Sequence, residues 1–299
     1  MAKAATRAIH RLAPVSSRNI PEQSGHQVVT MAKPQSRKPS NARRHGKPAP
    51  KPRGRDILWG WHAVAMALQN EKRRITGLLC TSRNEEELGQ RLSALTDSRR
   101  DEIPEPKIVE KDTLDTLAGP DAVHQGIAAE VLPLPDVAIE DILEDAGERC
   151  LLVLLDQVTD PHNVGAILRS ASAFGARAVI APDRNAAPTT GVLAKSASGA
   201  LDAIDLVHIT NLSRTMEQLR DAGFWCIGLD GETDGTLDRA DLKGRIAIVM
   251  GAEGSGLRRL TREKCDLLAR LPTSGPVATL NVSAATAVAL YEYARQNHD

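Results

Sequence analysis

From residue 56 onward the chain alternates short apolar runs with stretches whose apolar residues recur at helical spacing. Ile75–Cys80, Lys107–Val109 and Ile127–Leu132 predict strands. Between them His62–Gln69, with Val64, Met66 and Leu68 among alanines, predicts a helix. So do Asn84–Thr96, with Leu88, Leu92 and Leu95 on one face, and Thr113–Ala118. This alternation predicts a small α/β domain over 56–132. Pro133, Pro135 and the acidic stretch to Glu148 read as a linker, 133–150. The second half, 151–299, alternates more regularly. Leu151–Leu155 is unbroken apolar, as a strand buried on both faces of a parallel sheet must be. A helix Val164–Phe174 follows, then strands Ala178–Ala181 and Ile204–Ile209, helix Leu212–Asp221, and strands Trp225–Leu229, Ile246–Met250 and Leu267–Leu271. A last helix runs from about Asn281 to Gln296. The pattern predicts an open parallel sheet with helices on both faces.

Composition changes the picture at the amino end. Residues 1–55 carry prolines at 14, 21, 34, 39, 48, 50 and 52 and few large apolar side chains, so burial cannot offset the entropy of ordering them. We expect a disordered arm. It holds 13 Lys/Arg against the single acid Glu22; with 38 of each sign in the whole chain, residues 56–299 carry 25 basic and 37 acidic. A basic arm on an acidic body suits a protein that meets a polyanion, although the same composition also suits a solubilising tail. The Arg- and Ser-rich first thirty residues also fit a mitochondrial transit peptide, which makes the matrix the alternative to a cytoplasmic location. The longest apolar runs are about five residues, too short to span a membrane. Four cysteines far apart and eight histidines without His-x-x-x-His spacing give no disulfide framework and no metal site.

Ligands of open parallel sheets bind outside the carboxyl ends of the strands. Three unusual segments fall there. The first is Asp156-Gln157-Val158-Thr159-Asp160-Pro161-His162-Asn163, continuing to Arg169. The second is Gly251-Ala252-Glu253-Gly254-Ser255-Gly256-Leu257. The third runs from Leu271-Pro272-Thr273 to Thr279-Leu280-Asn281-Val282-Ser283. The glycines at 251, 254 and 256 are spaced G-x-x-G-x-G, not G-x-G-x-x-G, and no Lys-Ser or Lys-Thr follows them. A dinucleotide fingerprint and a P-loop are therefore disfavoured.

In this order the three segments resemble the motifs of the SpoU (TrmH) family, RNA 2′-O-ribose methyltransferases of the SPOUT superfamily. Lys195-Ser196-Ala197-Ser198-Gly199-Ala200 fits the same family between its first two motifs. Upstream, Gly60-Trp61-His62-Ala63-Val64 and Val123-His124-Gln125-Gly126-Ile127 look like the family's RNA substrate-binding domain. Within the family, this pairing most resembles the bacterial 23S ribosomal RNA guanosine-2′-O-methyltransferases. The resemblance implies a C-terminal parallel sheet closed by a trefoil knot, a homodimer, S-adenosylmethionine as cofactor and ribosomal RNA as substrate. It implies cofactor contacts at Gly251, Gly256, Leu271, Thr279 and Leu280, largely through main-chain groups. It implies catalytic roles for Asn163, Arg169, Glu253 and Asn281. Thr279 departs from the family pattern, which usually has Ser there.

Methyl transfer to a hydroxyl needs in-line placement and loss of the hydroxyl proton. Guanidinium hardly deprotonates in proteins, so Arg169 is expected to bind RNA phosphate and polarise the 2′-hydroxyl, leaving the proton acceptor open. Arg169 follows Asn163 by six residues on one helix, so both are expected to border one cleft. Plainer readings stand beside these: Asn163 as the cap of a helix starting at Val164, Glu253 as a surface acid near a helix start, and His162 as structural. With only seven aromatic residues, RNA recognition is expected to rest on charge and shape, through the Lys33–Arg55 arm and Arg73, Arg74, Arg83 and Arg91. A transfer-RNA methyltransferase of the same family and a non-catalytic RNA-binding or assembly factor are the alternatives.

Overall fold

A computed structural model describes residues 56–119, 122–183, 191–276 and 279–298. The expected disordered arm, 1–55, lies outside the described residues.

The first half builds a four-stranded sheet in the order β1-β4-β2-β3. Its elements are β1 (Asp56–Trp59), α1 (Trp61–Gln69), β2 (Ile75–Cys80), α2 (Glu85–Ser93), α3 (Asp97–Asp101), β3 (Lys107–Ile108), α4 (Lys111–Ala118) and β4 (Ile127–Val131). Strand β4 pairs antiparallel with both β1 and β2, and β3 lies parallel to β2. Val64, Ala67 and Leu68 of α1 and Leu88 of α2 bury against Leu78, Ile127, Ala129 and Val131. Residues 56–59, ahead of the first expected helix, form a further strand.

The stretch expected to be a linker contains α5 (Ile139–Glu144). Its Ile139 and Ile142 are one helical turn apart and pack against the second sheet's core, which holds the helix despite its acidic sequence.

Six strands follow, all parallel, in the order β10-β8-β9-β5-β6-β7. In chain order the elements are β5 (Cys150–Asp156), α6 (Pro161–Ala173), β6 (Ala178–Pro182), α7 (Gly191–Ala197), β7 (Asp205–Ile209) and α8 (Leu212–Asp221). After them come β8 (Trp225–Leu229), β9 (Arg245–Gly251), α9 (Arg259–Lys264), β10 (Leu267–Ala269) and α10 (Val282–Asn297). The alternation of a strand sorts the apolar run of β5 between two layers: Leu151, Val153 and Leu155 join the core under α6 and α10, while Leu152 and Leu154 join the core under α8. The central position of β5 explains why its sequence is unbroken. The chain leaves β5 toward β7, crosses back to β8 and inserts β9 beside β5. It places β10 at the far edge and returns α10 to pack on α6. No described helix is long and apolar enough to cross a membrane.

Candidate functional site

Strands β5, β9 and β10 end on the same edge of the sheet, and the three unusual segments leave from these ends. The first turns into α6. Asp160 caps that helix, its side chain accepting the His162 N–H at 3.1 Å, and Pro161 sits at its first position, where a missing N–H costs nothing. The helix therefore starts earlier than Val164, and the reading of Asn163 as its cap is overturned. Asn163 is left with a half-buried side chain, and Asn281 Nδ2 donates to its Oδ1 at 3.0 Å from 118 residues away. Asn281 does the capping on its own helix: its Oδ1 accepts from the Ser283 N–H at 2.9 Å and from Ser283 Oγ at 2.6 Å. One amide thus fixes the start of α10 and reaches across to α6.

The second segment folds back on the strand it leaves. Ala252 and Gly256 exchange main-chain bonds of 3.1 and 2.9 Å. Gly251 lies under the returning loop; a Cβ there would stand 2.2 Å from the Gly256 carbonyl carbon and 2.4 Å from the Leu257 nitrogen. Only glycine permits that approach. Glu253, Gly254 and Ser255 form the exposed tip. In the third segment Leu271 is half-buried, and Leu280 remains 45% exposed beside the polar Thr279 and Asn281. An apolar side chain left open at the converging edge of three loops is suited to an apolar ligand face.

The SpoU rRNA Methylase family matches residues 150–291, and the family described as RNA 2′-O ribose methyltransferase substrate binding matches residues 57–137. The chain is 45% identical over 243 residues to the 23S rRNA (guanosine-2′-O-)-methyltransferase RlmB of Pseudomonas aeruginosa, covering 80% of this chain and 96% of that one. To the enzyme of the same name from Shewanella oneidensis it is 43% identical, covering 81% and 97%. The chain belongs to the SpoU rRNA methylase family. Among solved structures, the SpoU methyltransferase AviRb from Streptomyces viridochromogenes, in complex with the cofactor AdoMet, aligns with a TM-score of 0.65 at 25% identity, over 81% of this chain and 90% of that one.

Within this family fold the expected site residues separate into groups. Asn163 joins Asn281, and Gly251 joins Gly256. Arg169 does not share Asn163's face. Six residues along a helix turn the side chain about 120° away, and Arg169 lies with exposed His162 and Ala173 on the outward stripe of α6. Neither Arg169 nor Glu253 makes a hydrogen bond or ion pair among the described residues. Glu253 precedes α9 by six residues, too far to feel that helix's dipole, so the helix-start explanation of this acid is withdrawn. His162 has a structural partner, with Nδ1 3.1 Å from Ser196 Oγ.

Arg73 is also corrected. It is 5% exposed, and its guanidinium is engaged by Asp202 and by the Leu132 carbonyl, so it is not open to phosphate. Arg91 stacks over the Trp61 ring at 4.8 Å and pairs with Glu87, while Arg74 and Arg83 are exposed.

Sequence reasoning missed Asp156. This last residue of β5 is fully buried opposite Gly251, accepting the Arg258 N–H at 2.9 Å and Arg258 Nε at 2.6 Å. It ties the far end of the glycine loop to the central strand. The available signal was an acid closing an otherwise apolar strand. A cavity of about 900 Å³ opens at the opposite edge, between the two sheets where β5 and β7 begin. Its Arg177 pairs with Asp145 and Asp205 and its Arg73 with Asp202, and it touches none of the motif residues. Volume alone does not make it the reaction site.

Proposed function

We propose that this protein transfers a methyl group from S-adenosylmethionine to a ribose 2′-hydroxyl of RNA, with a guanosine of 23S ribosomal RNA as target. One observation carries the reading: the Asn163–Asn281 bond joins the first turn of α6 to the start of α10, making one polar edge where the glycine loop of β9 also leaves the sheet. The likeness to enzymes named for this reaction, extending over nearly their whole length, supports the same substrate. Residues 151–299 hold the reaction and 56–132 the RNA. The return of α10 onto α6 after β10 supports a threaded, knotted C-terminus. Val288 and Tyr291 leave an exposed apolar strip on α10 that supports pairing of two copies. We place the enzyme in the cytoplasm, in keeping with its likeness to bacterial enzymes named for 23S rRNA.

The residues present fit the cofactor. Open Leu280 and half-buried Leu271 suit an adenosine face, and the glycine-rich loop leaves main-chain groups within reach of polar atoms. Gly251, Gly256, Leu271, Thr279 and Leu280 would hold it; when bound, it supplies an electrophilic methyl group. Asn163 and Asn281 orient each other and the ribose beside them, which lowers the entropic part of the barrier. Arg169, outward on α6, holds an RNA phosphate and draws the 2′-hydroxyl into place as a permanent cation. Glu253, on the exposed tip of the glycine loop, supplies the acid of the same edge.

The test is to incubate the protein with unmodified 23S ribosomal RNA and S-adenosylmethionine, then map alkali-resistant linkages. One resistant linkage 3′ to a guanosine is expected. Resistance only in transfer RNA would move the substrate to the alternative within the family, and none in any RNA would overturn the reading.

A further inference from the structure

One short segment, Ser196–Asp202, touches both sheets. Toward the six-stranded sheet, Ala197 is fully buried under α6, and Ser196 Oγ meets His162 beside Asn163. Toward the four-stranded sheet, Gly199 adopts φ +89° and lies so close to α1 that a Cβ would stand 2.8 Å from both the His62 carbonyl oxygen and Met66 Cγ. Ala194, just before the segment, packs against both cores. The segment ends in Asp202, whose side chain is 2% exposed. Arg73 grips it in a fork, Nε to Oδ1 at 2.6 Å and Nη2 to Oδ2 at 3.1 Å, and Asn70 Nδ2 adds a third bond at 3.1 Å. Arg73 Nη1 meanwhile donates to the Leu132 carbonyl at 2.9 Å, at the end of the small sheet.

Apolar contact alone would let two sheets slide on each other. A buried bidentate ion pair does not, because slippage leaves a charge desolvated without its partner. We infer that Ser196–Asp202 is a spacer that fixes the small sheet relative to the methyl-transfer edge. Asp202 and Arg73 form its latch, so that RNA held by the small sheet meets Asn163 in one register. Asp202, Arg73 and Gly199 are positioning residues, not catalytic ones. The inference rests on the function proposed above, since register matters only if RNA lies on one sheet and reacts at the other.

The test compares Asp202→Asn, Arg73→Lys and Gly199→Ala in the full chain. The first two weaken the latch, and the third pushes α1 from the spacer without touching a charge. Four readouts are taken: kcat, KM for 23S ribosomal RNA, S-adenosylmethionine affinity, and amide hydrogen exchange in 61–69, 196–202 and 281–297. Misplacement of reacting groups predicts a fall in kcat of about tenfold or more. RNA KM and cofactor affinity should stay within about twofold. Exchange should rise in 61–69 and 196–202 and not in 281–297. Unchanged kcat in variants that fold would overturn the inference, as would a parallel loss of cofactor affinity or a rise in KM alone. If Asp202→Asn does not fold, the other two variants decide. Should the wild type prove inactive on all RNA, the functional reading fails, and the latch stands or falls on exchange alone.

Discussion

Replacing Arg258 by Ala tests how the glycine loop is held. Asp156 is fully buried at the end of β5, and Arg258 supplies two of its donors, a main-chain N–H and Nε. The substitution keeps the first and removes the second. A hydrogen bond to a charged group contributes about 1.5–3 kcal/mol, and stranding a buried charge costs about 3–5 kcal/mol. Arg258 is itself 53% exposed, so solvent already screens the pair, and the retained N–H still faces the carboxylate. We therefore expect a loss of about 2 kcal/mol, near the bottom of these ranges. The loss falls on the loop carrying Gly251 and Gly256, so it should weaken cofactor binding. Each 1.4 kcal/mol removed from the closed loop costs about tenfold in affinity. Urea unfolding should show a midpoint lower by about 1 M at an unchanged slope. Titration with S-adenosylmethionine should show about thirtyfold weaker binding, with RNA affinity unaltered. A variant with the lower midpoint but wild-type cofactor affinity would refute the reasoning, because the tether would then stabilise the sheet without shaping the loop.

Asn163→Ala and Asn281→Ala should each lower kcat by about tenfold, and the double variant should be no worse than the poorer single one, since both act through one bond; multiplicative losses would show separate roles. Only Asn281→Ala should also destabilise the fold, by about 1 kcal/mol in chemical denaturation, because it alone caps α10. Gly251→Ala should cost about 1–3 kcal/mol and most of the cofactor affinity, as the new Cβ meets backbone that cannot rotate away; wild-type affinity in calorimetry would count against the tight loop. Burial pushes the Cys226 and Cys265 thiols up to about 12, and desolvation also raises Cys80 and Cys150. No thiol should then react rapidly with a disulfide reagent at pH 8, and a stoichiometric burst in the folded protein would contradict the burial. In the unfolded chain the same two thiols ionise near the ordinary 9. Their contribution to stability is therefore complete below that pH and drains away as pH rises from about 9 to about 12, measurable as a falling melting temperature.

How far the sequence predicts the structure depends on whether a segment's neighbours are local. Strand β8 and helix α8 have the bounds expected from their own periodicity, and β5 announces its central place by being apolar on both faces. Strand β1 and helix α5 were missed. Four residues with mixed faces, or a single buried pair Ile139 and Ile142 in an acidic stretch, carry too little pattern to stand out. The three motif segments were legible because glycines, prolines and polar residues interrupt apolar runs at the carboxyl ends. What joins them was not legible. Asp156 meets Arg258 across 102 residues, Asn163 meets Asn281 across 118, and Arg73 meets Asp202 across 129. An arginine's type says that it needs an anion, not whether that anion is a phosphate in water or a buried aspartate. Arg73 was expected to face RNA for that reason, and Arg99, which fills the Ala67, Leu68 and Arg73 carbonyls beneath the small sheet, drew no notice.

The placement of Asn163 and Arg169 on different faces of α6 bears on how one helix can serve two chemical needs. The role proposed for Asn163, orienting a ribose, needs a rigidly held group, and Asn163 is held by an amide that also caps α10. A cation that holds a phosphate must remain in water until RNA arrives, because burying an unpaired guanidinium is costly. Arg169 meets that condition on the exposed stripe of α6. Under the proposed roles a nucleotide would follow a path from the exposed stripe of α6, with its phosphate at Arg169, to the Asn163–Asn281 bond about 120° around the helix. That path runs by His162 and Ser196, where the spacer between the sheets begins. On the proposed reading Arg169 serves as a fixed cation and not as the proton acceptor, because guanidinium hardly deprotonates in proteins and this residue lies about 120° around α6 from Asn163.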